Sequence, residues 1–324
     1  MKILAIESSC DDTSAAVVRD GRCVLSMHTV SQEQFHSKFG GVVPEIASRK
    51  HLNSIYEVTE IAIEKAMISE TTGLDAVAVT CTPGLVGSLL VGINFAKGFA
   101  LSLGIPLIAV NHLKAHAAAC YIENLGLSPP FLCLIVSGGN TCIYDVKSFT
   151  NFNLVGSTRD DAAGEIFDKI ARRMGIEYPG GPFLEKMASG GNELKFSFPI
   201  PKLKEFDFSF SGLKTYAINQ VKNLKYSDFH DFSASLMFSV SKYLSDVLIC
   251  AAEKLNRDQV AVAGGVASNS YLKKAINLEC KKRNLKFHFP SKKYCGDNAA
   301  MIGVQGYYEF ISGSKAELDL NVIR

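Results

Sequence analysis

Residues 3–18 read ILAIESSCDDTSAAVV: an apolar run, a polar turn and a second apolar run that leads to Asp20-Gly21. Short apolar runs joined by a turn of Ser, Cys and Asp predict a β-hairpin whose polar tip is a candidate functional site. The same plan recurs at residues 131–146, FLCLIVSGGNTCIYDV, where the turn is rich in glycine. We therefore expect a diverged internal duplication.

Helix-period segments and further strand-like runs follow each hairpin. The predicted helices are residues 48–67, 86–103, 162–174, 233–255 and a last one from Asp297, and the predicted strands are residues 76–80, 106–110 and 259–263. A Gly/Pro turn at residues 178–182 and a Phe-rich loop at 196–210 separate the later helices. Hairpin sheets with helical crossovers, repeated twice, are typical of the two-lobed α/β nucleotide-binding fold of actin, hexokinase and Hsp70.

The composition favours a folded enzyme over a disordered or strongly basic chain. The chain has 324 residues, of which 47% are hydrophobic and 20% charged, and its net charge is +2. That length suits two α/β units and the apolar content is ample for their cores. Nucleic-acid binding would have to come from local clusters such as Lys281-Lys282-Arg283 and Lys292-Lys293, which are otherwise a solvated helix face and a loop.

The cysteine usage and the N-terminus indicate a cytoplasmic protein. Nine cysteines form an odd number without a CxxC pair, which is typical of reduced thiols. Met1-Lys2 leads directly into the first apolar run, so we expect no export signal. Residues 89–110 are apolar, but they contain Asn94, Lys97 and Pro106, so we interpret them as a buried helix followed by a strand and expect no membrane association.

His112 and His116 are four residues apart, so in a helix both imidazoles project from one face, as a metal chelate requires. The alternative is a pair of packed or solvated helix histidines. A zinc-protease motif needs a glutamate general base directly after the first histidine, and Leu113 stands there. Asp297 is a further oxygen ligand or, alternatively, the N-cap of the last helix.

Two glycine-containing loops follow predicted strands, at residues 137–141 (SGGNT) and 263–269 (AGGVASN). Backbone without side chains can approach an anionic or planar ligand and present its N–H groups, although such loops are often simple turns. The acidic turn between Glu7 and Asp12 is either a site for a metal or water near phosphates or a solvated hairpin tip. Residues 160–169 begin with acidic side chains that suit a helix N-terminus, which does not explain Asp168 further along.

Seven short motifs in order, together with the His112/His116 pair, resemble the bacterial tRNA N6-adenosine threonylcarbamoyltransferase family, TsaD, over nearly the whole chain. They are IESSCD at 6–11, GGVVPE at 40–45, PGLVG at 83–87, SGG at 137–139, DAAGE at 161–165, FSFSGLKT at 208–215 and AGGV at 263–266. The resemblance implies an ASKHA fold, an RNase H-like unit duplicated. It also implies transfer of a threonylcarbamoyl group from threonylcarbamoyl-adenylate to N6 of the adenosine 3′ to the anticodon, in tRNAs reading codons that begin with A, with release of AMP.

The resemblance also implies site residues and partners. His112, His116 and Asp297 match ligands of one divalent metal, iron or zinc with magnesium as an alternative, and Asp11 and Glu7 are the candidate catalytic residues. The positions that match the adenylate site are Ile135, Val136, Ser137, Gly138, Gly139, Asp168, Gly181 and Asn269. The expected partners are tRNA, a non-catalytic TsaB-type paralogue that dimerises through the first lobe, and a TsaE-type P-loop ATPase.

We expect a first lobe at residues 1–110, completed by the C-terminal helix at 297–324, and a second lobe at 111–296 with the metal and adenylate site. Three positions depart from the family pattern. Asp12 stands where relatives often have Glu, Asn140 where many bacterial members have His, and Ile135 where archaeal relatives have a metal-binding Tyr. The alternatives are a small-molecule kinase of the same fold and a metalloprotease.

Overall fold

The computed structural model describes residues 1–67, 73–203 and 205–322. These residues form two units. Unit 1 comprises Met1–Ser128, Ser148–Asn151 and Pro290–Arg324, and unit 2 comprises Pro129–Lys147 and Phe152–Phe289.

Unit 1 is built on one five-stranded sheet. Its strands are β1 (Lys2–Glu7), β2 (Asp12–Arg19), β3 (Cys23–Ser31), β4 (Ala76–Thr82) and β5 (Leu107–Asn111). Its helices are α1 (Glu33–His36), α2 (Pro44–Lys65), α3 (Val86–Leu103), α4 (His112–Glu123) and α10 (Ala299–Ile311), numbered in chain order, with 3-10 turns at Ser37–Phe39 and Lys292–Tyr294. The strand order is β3-β2-β1-β4-β5, antiparallel among β1 to β3 and parallel among β1, β4 and β5.

Unit 2 repeats this topology. Its strands are β6 (Phe131–Val136), β7 (Thr141–Val146), β8 (Phe152–Ser157), β9 (Gln259–Ala263) and β10 (Lys286–His288). Its helices are α5 (Ala163–Arg173), α6 (Gly180–Ala188), α7 (Ser211–Val221), α8 (Phe229–Lys254) and α9 (Ser270–Arg283), with 3-10 turns at Tyr226–Asp228 and Gly265–Ser268. The order is β10-β9-β6-β7-β8, with the same antiparallel hairpin and parallel neighbours. The predicted internal duplication is therefore confirmed.

Helix α10 closes unit 1 by lying directly on its sheet. A Cβ atom on Gly303 would stand 2.5 Å from Val18, and one on Gly306 would stand 2.5 Å from Ala78. Only glycine permits this approach, because any side chain at either position would overlap the strands. The C-terminal segment is therefore part of the first sheet's core packing.

The first segment of unit 1 ends at Ser128, beyond the expected boundary after residue 110. Helix α4 belongs to unit 1, where it packs against α10, and Arg22 binds its C-terminal end. The Arg22 guanidinium donates to the carbonyls of Tyr121 and Asn124 at 3.3 Å and to that of Leu127 at 3.1 Å. The expected second lobe therefore loses the two histidines, and Asp297 likewise lies in unit 1.

The Phe-rich loop is core packing. Phe198, Phe208 and Phe210 are buried, and the last two pack their rings against Tyr243 of α8. The expected turn at residues 178–182 already contains the first residues of α6, which begins at Gly180. Strands β3, β8 and β10 and helices α1, α6, α7 and α9 were not predicted, and α4 was considered only as the condition for a chelating pair of histidines.

Two helices are long and apolar enough to cross a membrane by length and composition alone, Val86–Leu103 and the segment Tyr226–Lys254. Helix α3 packs against α2 and β4, and α8 packs against α6 and α9. As predicted, the apolar stretch after residue 89 is a helix followed by a strand. Only 33% of helix α3 is nevertheless buried within the chain.

Candidate active site

Helix α4 holds the two predicted metal-ligand histidines on one face. The Asn111 side chain caps the helix by accepting from the backbone N–H groups of Leu113 and Lys114, so that His112 is its first residue. The Nε2 atoms of His112 and His116 lie 3.4 and 3.2 Å from Oδ1 of Asp297. One donor atom from each of the three lies within 4.8 Å of the others. We call this group the His-His-Asp cluster.

Asp297 is free to act as a ligand because a neighbour caps the last helix. The Asn298 side chain accepts from the backbone N–H of Met301, so α10 begins at Ala299. The alternative interpretation of Asp297 as the N-cap is therefore wrong. The structure shows a possible metal-binding triad, as the spacing of the two histidines and the family resemblance together predicted.

The buried histidine of the cluster tests whether a cation fits. Within the described residues neither ring nitrogen of His116 has a hydrogen-bond partner, and the 3.2 Å approach of Nε2 to Asp297 lacks hydrogen-bond geometry. Such an orphaned buried imidazole is costly unless something else satisfies it. A divalent cation between His116 and Asp297 would satisfy Nε2, the ring nitrogen that faces Asp297, and the mixed nitrogen and oxygen donors suit zinc or iron. The residues therefore fit a metal.

The charge states of Asp297 and His116 suit the same role, whereas His112 would have to release a proton when a metal binds. Burial tends to raise the pKa of Asp297, but His112 and His116 outweigh it and hold that pKa below its usual range. Burial lowers the pKa of His116, which keeps its ring neutral. Burial also opposes the charged form of His112, but Glu7 and Asp297 outweigh it and raise its pKa. Ionised carboxylate and neutral imidazole are the forms that bind metals.

Glu7, at the end of β1, orients His112. Its Oε2 atom lies 3.0 Å from His112 Nδ1 and accepts from Thr80 Oγ1 at 2.6 Å, while its Oε1 accepts from the backbone N–H of Ser9 at 2.5 Å. The side chain is fully buried. A carboxylate on the rear nitrogen of a metal-binding histidine fixes the tautomer and leaves Nε2 free to bind. These contacts place Glu7 behind His112, and the catalytic role predicted for it stays a prediction.

Asp11 and Asp12 lie at the tip of the first hairpin, where β2 begins. Burial, and next to it the charge of Asp297, raises the pKa of Asp12 to about 7. Burial likewise raises the pKa of Asp11. One carboxylate oxygen of Asp12 is buried and has no hydrogen-bond partner in the part of the chain that the structure describes. Both side chains are therefore within electrostatic range of Asp297 and are partly desolvated, which favours proton transfer near neutral pH.

The equivalent turn of unit 2, residues 137–140, is packed against the start of α5. The Asn140 N–H donates to Ser137 Oγ at 3.1 Å, and the Gly164 N–H donates to the Ser137 carbonyl at 3.2 Å. A Cβ on Gly164 would stand 2.5 Å from that carbonyl oxygen, so only glycine fits. Gly264 has φ +94°, and a Cβ there would stand 2.4 Å from the Val136 carbonyl. The glycines of these motifs thus bring three backbone segments together.

A cavity of about 230 Å³ in unit 2 contains half of the predicted adenylate residues. Gly138, Asp168, Gly181 and Asn269 line it. The Asp168 carboxylate accepts from the Gly180 N–H at 2.7 Å, and burial raises its pKa. The Asn269 side chain caps α9 by accepting from the backbone N–H of Leu272.

The other four predicted residues lie beside the cavity. Ile135 and Val136 are fully buried in β6, and Ser137 and Gly139 belong to the turn next to the lining residue Gly138. Sequence reasoning missed Tyr178 and Glu185, which also line the cavity. Glu185 accepts from both the backbone N–H and the hydroxyl of Ser270. It lies on α6, and that helix was not predicted, so no pattern marked it.

The fold resembles known nucleotide-binding proteins at low sequence identity. Over 96% of this chain and 46% of the other, the structure of full-length HypF in the phosphate- and nucleotide-bound form matches with TM-score 0.66 and 15% identity. A ROK family glucokinase from Streptomyces griseus, in complex with glucose and AMPPNP, matches over 94% of this chain and 98% of its own with TM-score 0.52 and 12% identity. The fold is therefore the predicted two-lobed ASKHA type.

Closer relatives identify the family. The curated tRNA N6-adenosine threonylcarbamoyltransferase of Clostridium botulinum strain Hall is 48% identical over 100% of this chain and 96% of its own length. The corresponding protein of Clostridium perfringens strain ATCC 13124 is 48% identical over 98% and 96%. The family model described as "TsaD: tRNA N6-adenosine threonylcarbamoyltransferase" matches residues 23–304. These matches support tRNA modification and do not support the kinase or the metalloprotease alternative. The chain belongs to the TsaD family.

Proposed function

We propose that this chain carries out the acyl transfer that names its family with the residues described above. The threonylcarbamoyl group passes from threonylcarbamoyl-adenylate to N6 of the adenosine 3′ to the anticodon, in tRNAs reading codons that begin with A, and AMP is released. The carbamoyl carbon forms a bond to N6 while its bond to the phosphate oxygen breaks. The observation that carries this proposal is the match over the full chain to curated relatives with that name.

In this proposal the His-His-Asp cluster holds one divalent metal, iron or zinc. Magnesium, which prefers oxygen ligands, is the alternative. The orphaned nitrogens of His116 and the mixed donor set support it. A bound cation would supply a Lewis acid that stabilises negative charge on a carbonyl or phosphoryl oxygen. Glu7 contributes by holding the proton of His112 on Nδ1, which leaves Nε2, the atom that faces Asp297, unprotonated and able to bind a metal.

The proposed general base is Asp11. An adenine amine is a weak nucleophile because its lone pair is delocalised into the ring, so the enzyme must chiefly position the reactants and accept the proton that N6 loses. A carboxylate whose pKa is raised by burial is a better proton acceptor than one in water. Asp12, which stands where relatives often have Glu, has a shorter side chain on the same turn.

The unit-2 cavity is the proposed site for the nucleoside end of the adenylate. Its 230 Å³ is below the range of about 300–1,000 Å³ that holds a whole drug-sized ligand, so it suits part of the molecule. Asp168 and Asn269 offer polar atoms beside apolar walls such as Phe167. The backbone at Gly138 and Gly265 lets a planar or anionic group approach closely.

The proposed macromolecular partners are tRNA, a TsaB-type paralogue and a TsaE-type ATPase, the last on family resemblance alone. An apolar groove between α2 and α3 supports a docked paralogue. Tyr56, Phe95 and Phe99 line a cavity of about 660 Å³ there, and Leu52 beside it is 67% exposed. Apolar patches of this kind mark protein–protein contacts.

The proposed location is the cytoplasm. All nine cysteines are free thiols, which suits a reducing compartment.

The test is to supply threonylcarbamoyl-adenylate and unmodified tRNA to the metal-loaded chain, alone and with the two partner proteins, and to look for the modified nucleoside after tRNA digestion. We expect the product and stoichiometric AMP with the complete mixture. The matched control is Asp246→Asn, which removes an exposed carboxylate that pairs with Lys242. Absence of the modified nucleoside with every combination of partners and metals would refute the proposal.

A further inference from the structure

His51 lies on the buried face of α2, whose other buried residues are mostly apolar. The buried positions of that helix recur at helical spacing and include Ala47, Ile55, Val58 and Ala62. His51 is 0% exposed. A buried imidazole is costly unless its ring nitrogens are hydrogen-bonded, so its two partners are informative.

Both nitrogens of His51 bind the hairpin tip. Nε2 lies 2.9 Å from the carbonyl oxygen of Cys10, and Nδ1 lies 2.7 Å from Thr13 Oγ1. A carbonyl only accepts, so Nε2 carries the proton and Nδ1 accepts from the Thr13 hydroxyl. Burial lowers the pKa of His51, which agrees with a neutral ring. The Ser88 hydroxyl reaches the same carbonyl at the longer distance of 3.4 Å.

The neighbouring carbonyls of this turn are held in the same way from other segments. The Ser9 carbonyl accepts from the Leu85 N–H at 2.8 Å, and the Asp11 carbonyl accepts from the Gln32 N–H at 3.0 Å. Three consecutive peptide groups are thus fixed by three different parts of unit 1. His51 makes the shortest bond to the middle one, at Cys10.

We propose that His51 is a positioning residue for the transfer reaction: it fixes the peptide that joins Cys10 to Asp11 and thereby aims the Asp11 carboxylate. This inference rests on the proposed function, in which Asp11 accepts the N6 proton. Displacing a reacting group by about 1 Å can cost on the order of 100-fold in rate. The rotation of one peptide group next to Asp11 is enough for such a displacement.

Three substitutions separate positioning from packing. His51→Leu removes both hydrogen bonds, and His51→Gln places an amide N–H near the position of Nε2. Val58→Ala is the packing control, since Val58 is buried on the same helix face as His51, where it packs with Ala62 and with Ala15 of β2. We expect His51→Leu to lower kcat at least about tenfold, with KM for tRNA and adenylate within about twofold. His51→Gln should regain most of that loss, and Val58→Ala should lower only the thermal midpoint.

A second readout does not depend on activity. Hydrogen exchange of the Leu85 and Gln32 amides, which bind the adjacent carbonyls, should accelerate in His51→Leu and not in Val58→Ala. If His51→Leu does not fold, His51→Asn replaces it, because Asn can still accept from Thr13 but cannot reach Cys10.

The outcomes distinguish this inference from the function on which it rests. Wild-type protein without transfer activity would refute the proposed function, while the exchange rates still test the positioning. Unchanged kcat in His51→Leu with a fall in thermal midpoint like that of Val58→Ala, or unchanged exchange at both amides, would overturn the role of His51.

Discussion

Replacing Glu7 with glutamine tests the His-His-Asp cluster through a residue that is not itself a proposed ligand. The change keeps the size of the side chain and removes its charge. In the native protein the carboxylate accepts from three donors: the Ser9 backbone N–H, the Thr80 hydroxyl and His112 Nδ1. An amide has only one oxygen to offer.

In either orientation of the amide that Glu7→Gln introduces, its N–H group therefore faces a group that donates a hydrogen bond to Glu7 in the native protein. If the amide N–H group faces His112, Nδ1 can keep its proton only by donating to the Ser9 hydroxyl 3.2 Å away. Otherwise the ring takes its proton on Nε2, the atom that faces Asp297, and that tautomer cannot bind a metal. If the amide is flipped, its N–H group faces the Ser9 N–H. Substitutions that disturb the partner of a metal-binding histidine weaken metal affinity about 10- to 100-fold. That range corresponds to about 1.4–2.7 kcal/mol.

The assay is competition of the purified chain with a chelator of known zinc affinity, at fixed pH. We expect Glu7→Gln to weaken zinc binding by the factor above and Glu7→Ala to weaken it at least as much. Asp246→Asn again serves as the control for a lost exposed carboxylate. A Glu7→Gln variant that binds zinc as tightly as the wild-type chain would refute this account of the cluster.

Three further predictions concern the metal, the adenylate and the tRNA. His116→Ala should lower metal content, measured by elemental analysis, together with transfer activity; full activity with stoichiometric metal would exclude it as a ligand. AMP at 100 times its Kd should stabilise the fold by about 2.7 kcal/mol in thermal melts, and Asn269→Ala should reduce that gain. An unchanged midpoint for both proteins would contradict the unit-2 site. Replacing Lys292 and Lys293 with Glu should weaken tRNA binding and reduce the slope of log affinity against log salt by about 1.8 if both contact phosphates. Equal tRNA affinity at low salt would exclude these lysines from the RNA surface.

The charge clusters predicted for RNA binding are not equivalent in the structure. Lys282 and Arg283 pair with Glu279, and Arg283 also pairs with Glu253. Across residues 1–67, 73–203 and 205–322, neither Lys292 nor Lys293 forms an ion pair. The second cluster is therefore the better candidate, because its charges are not already neutralised within the chain.

Much of the fold was predictable because its central strands and long helices are strongly apolar. Strand β6 and helix α3 have the predicted bounds, and both hairpins are present. Strand β10 has only three residues, and α9 buries only Leu272, Ile276 and Cys280, so a mostly polar pattern concealed it. Short or polar elements owe their structure to tertiary packing, which local patterns do not carry.

The candidate site was predictable in part for a similar reason. The spacing of His112 and His116 indicated a shared helix face. For Asp297 the residues left two alternatives open, ligand or N-cap, and the family resemblance favoured the ligand, because a contact so distant in sequence leaves no local pattern. His51 carried one overlooked signal: a histidine in the buried stripe of an amphipathic helix. The packing of Gly164 on the Ser137 carbonyl left none.

The C-terminal segment has a consequence for biosynthesis. Apart from Ser148–Asn151, unit 1 has no residues between Ser128 and Pro290. Roughly 160 residues are therefore translated before helix α10 is available to pack on the first sheet. At about 5–20 residues per second, that delay is on the order of 10–30 s. Asp297 arrives with the same segment, so the nascent chain presents His112 and His116 without their carboxylate partner. Most of unit 2 emerges in one continuous stretch, so we expect its core to be complete before that of unit 1.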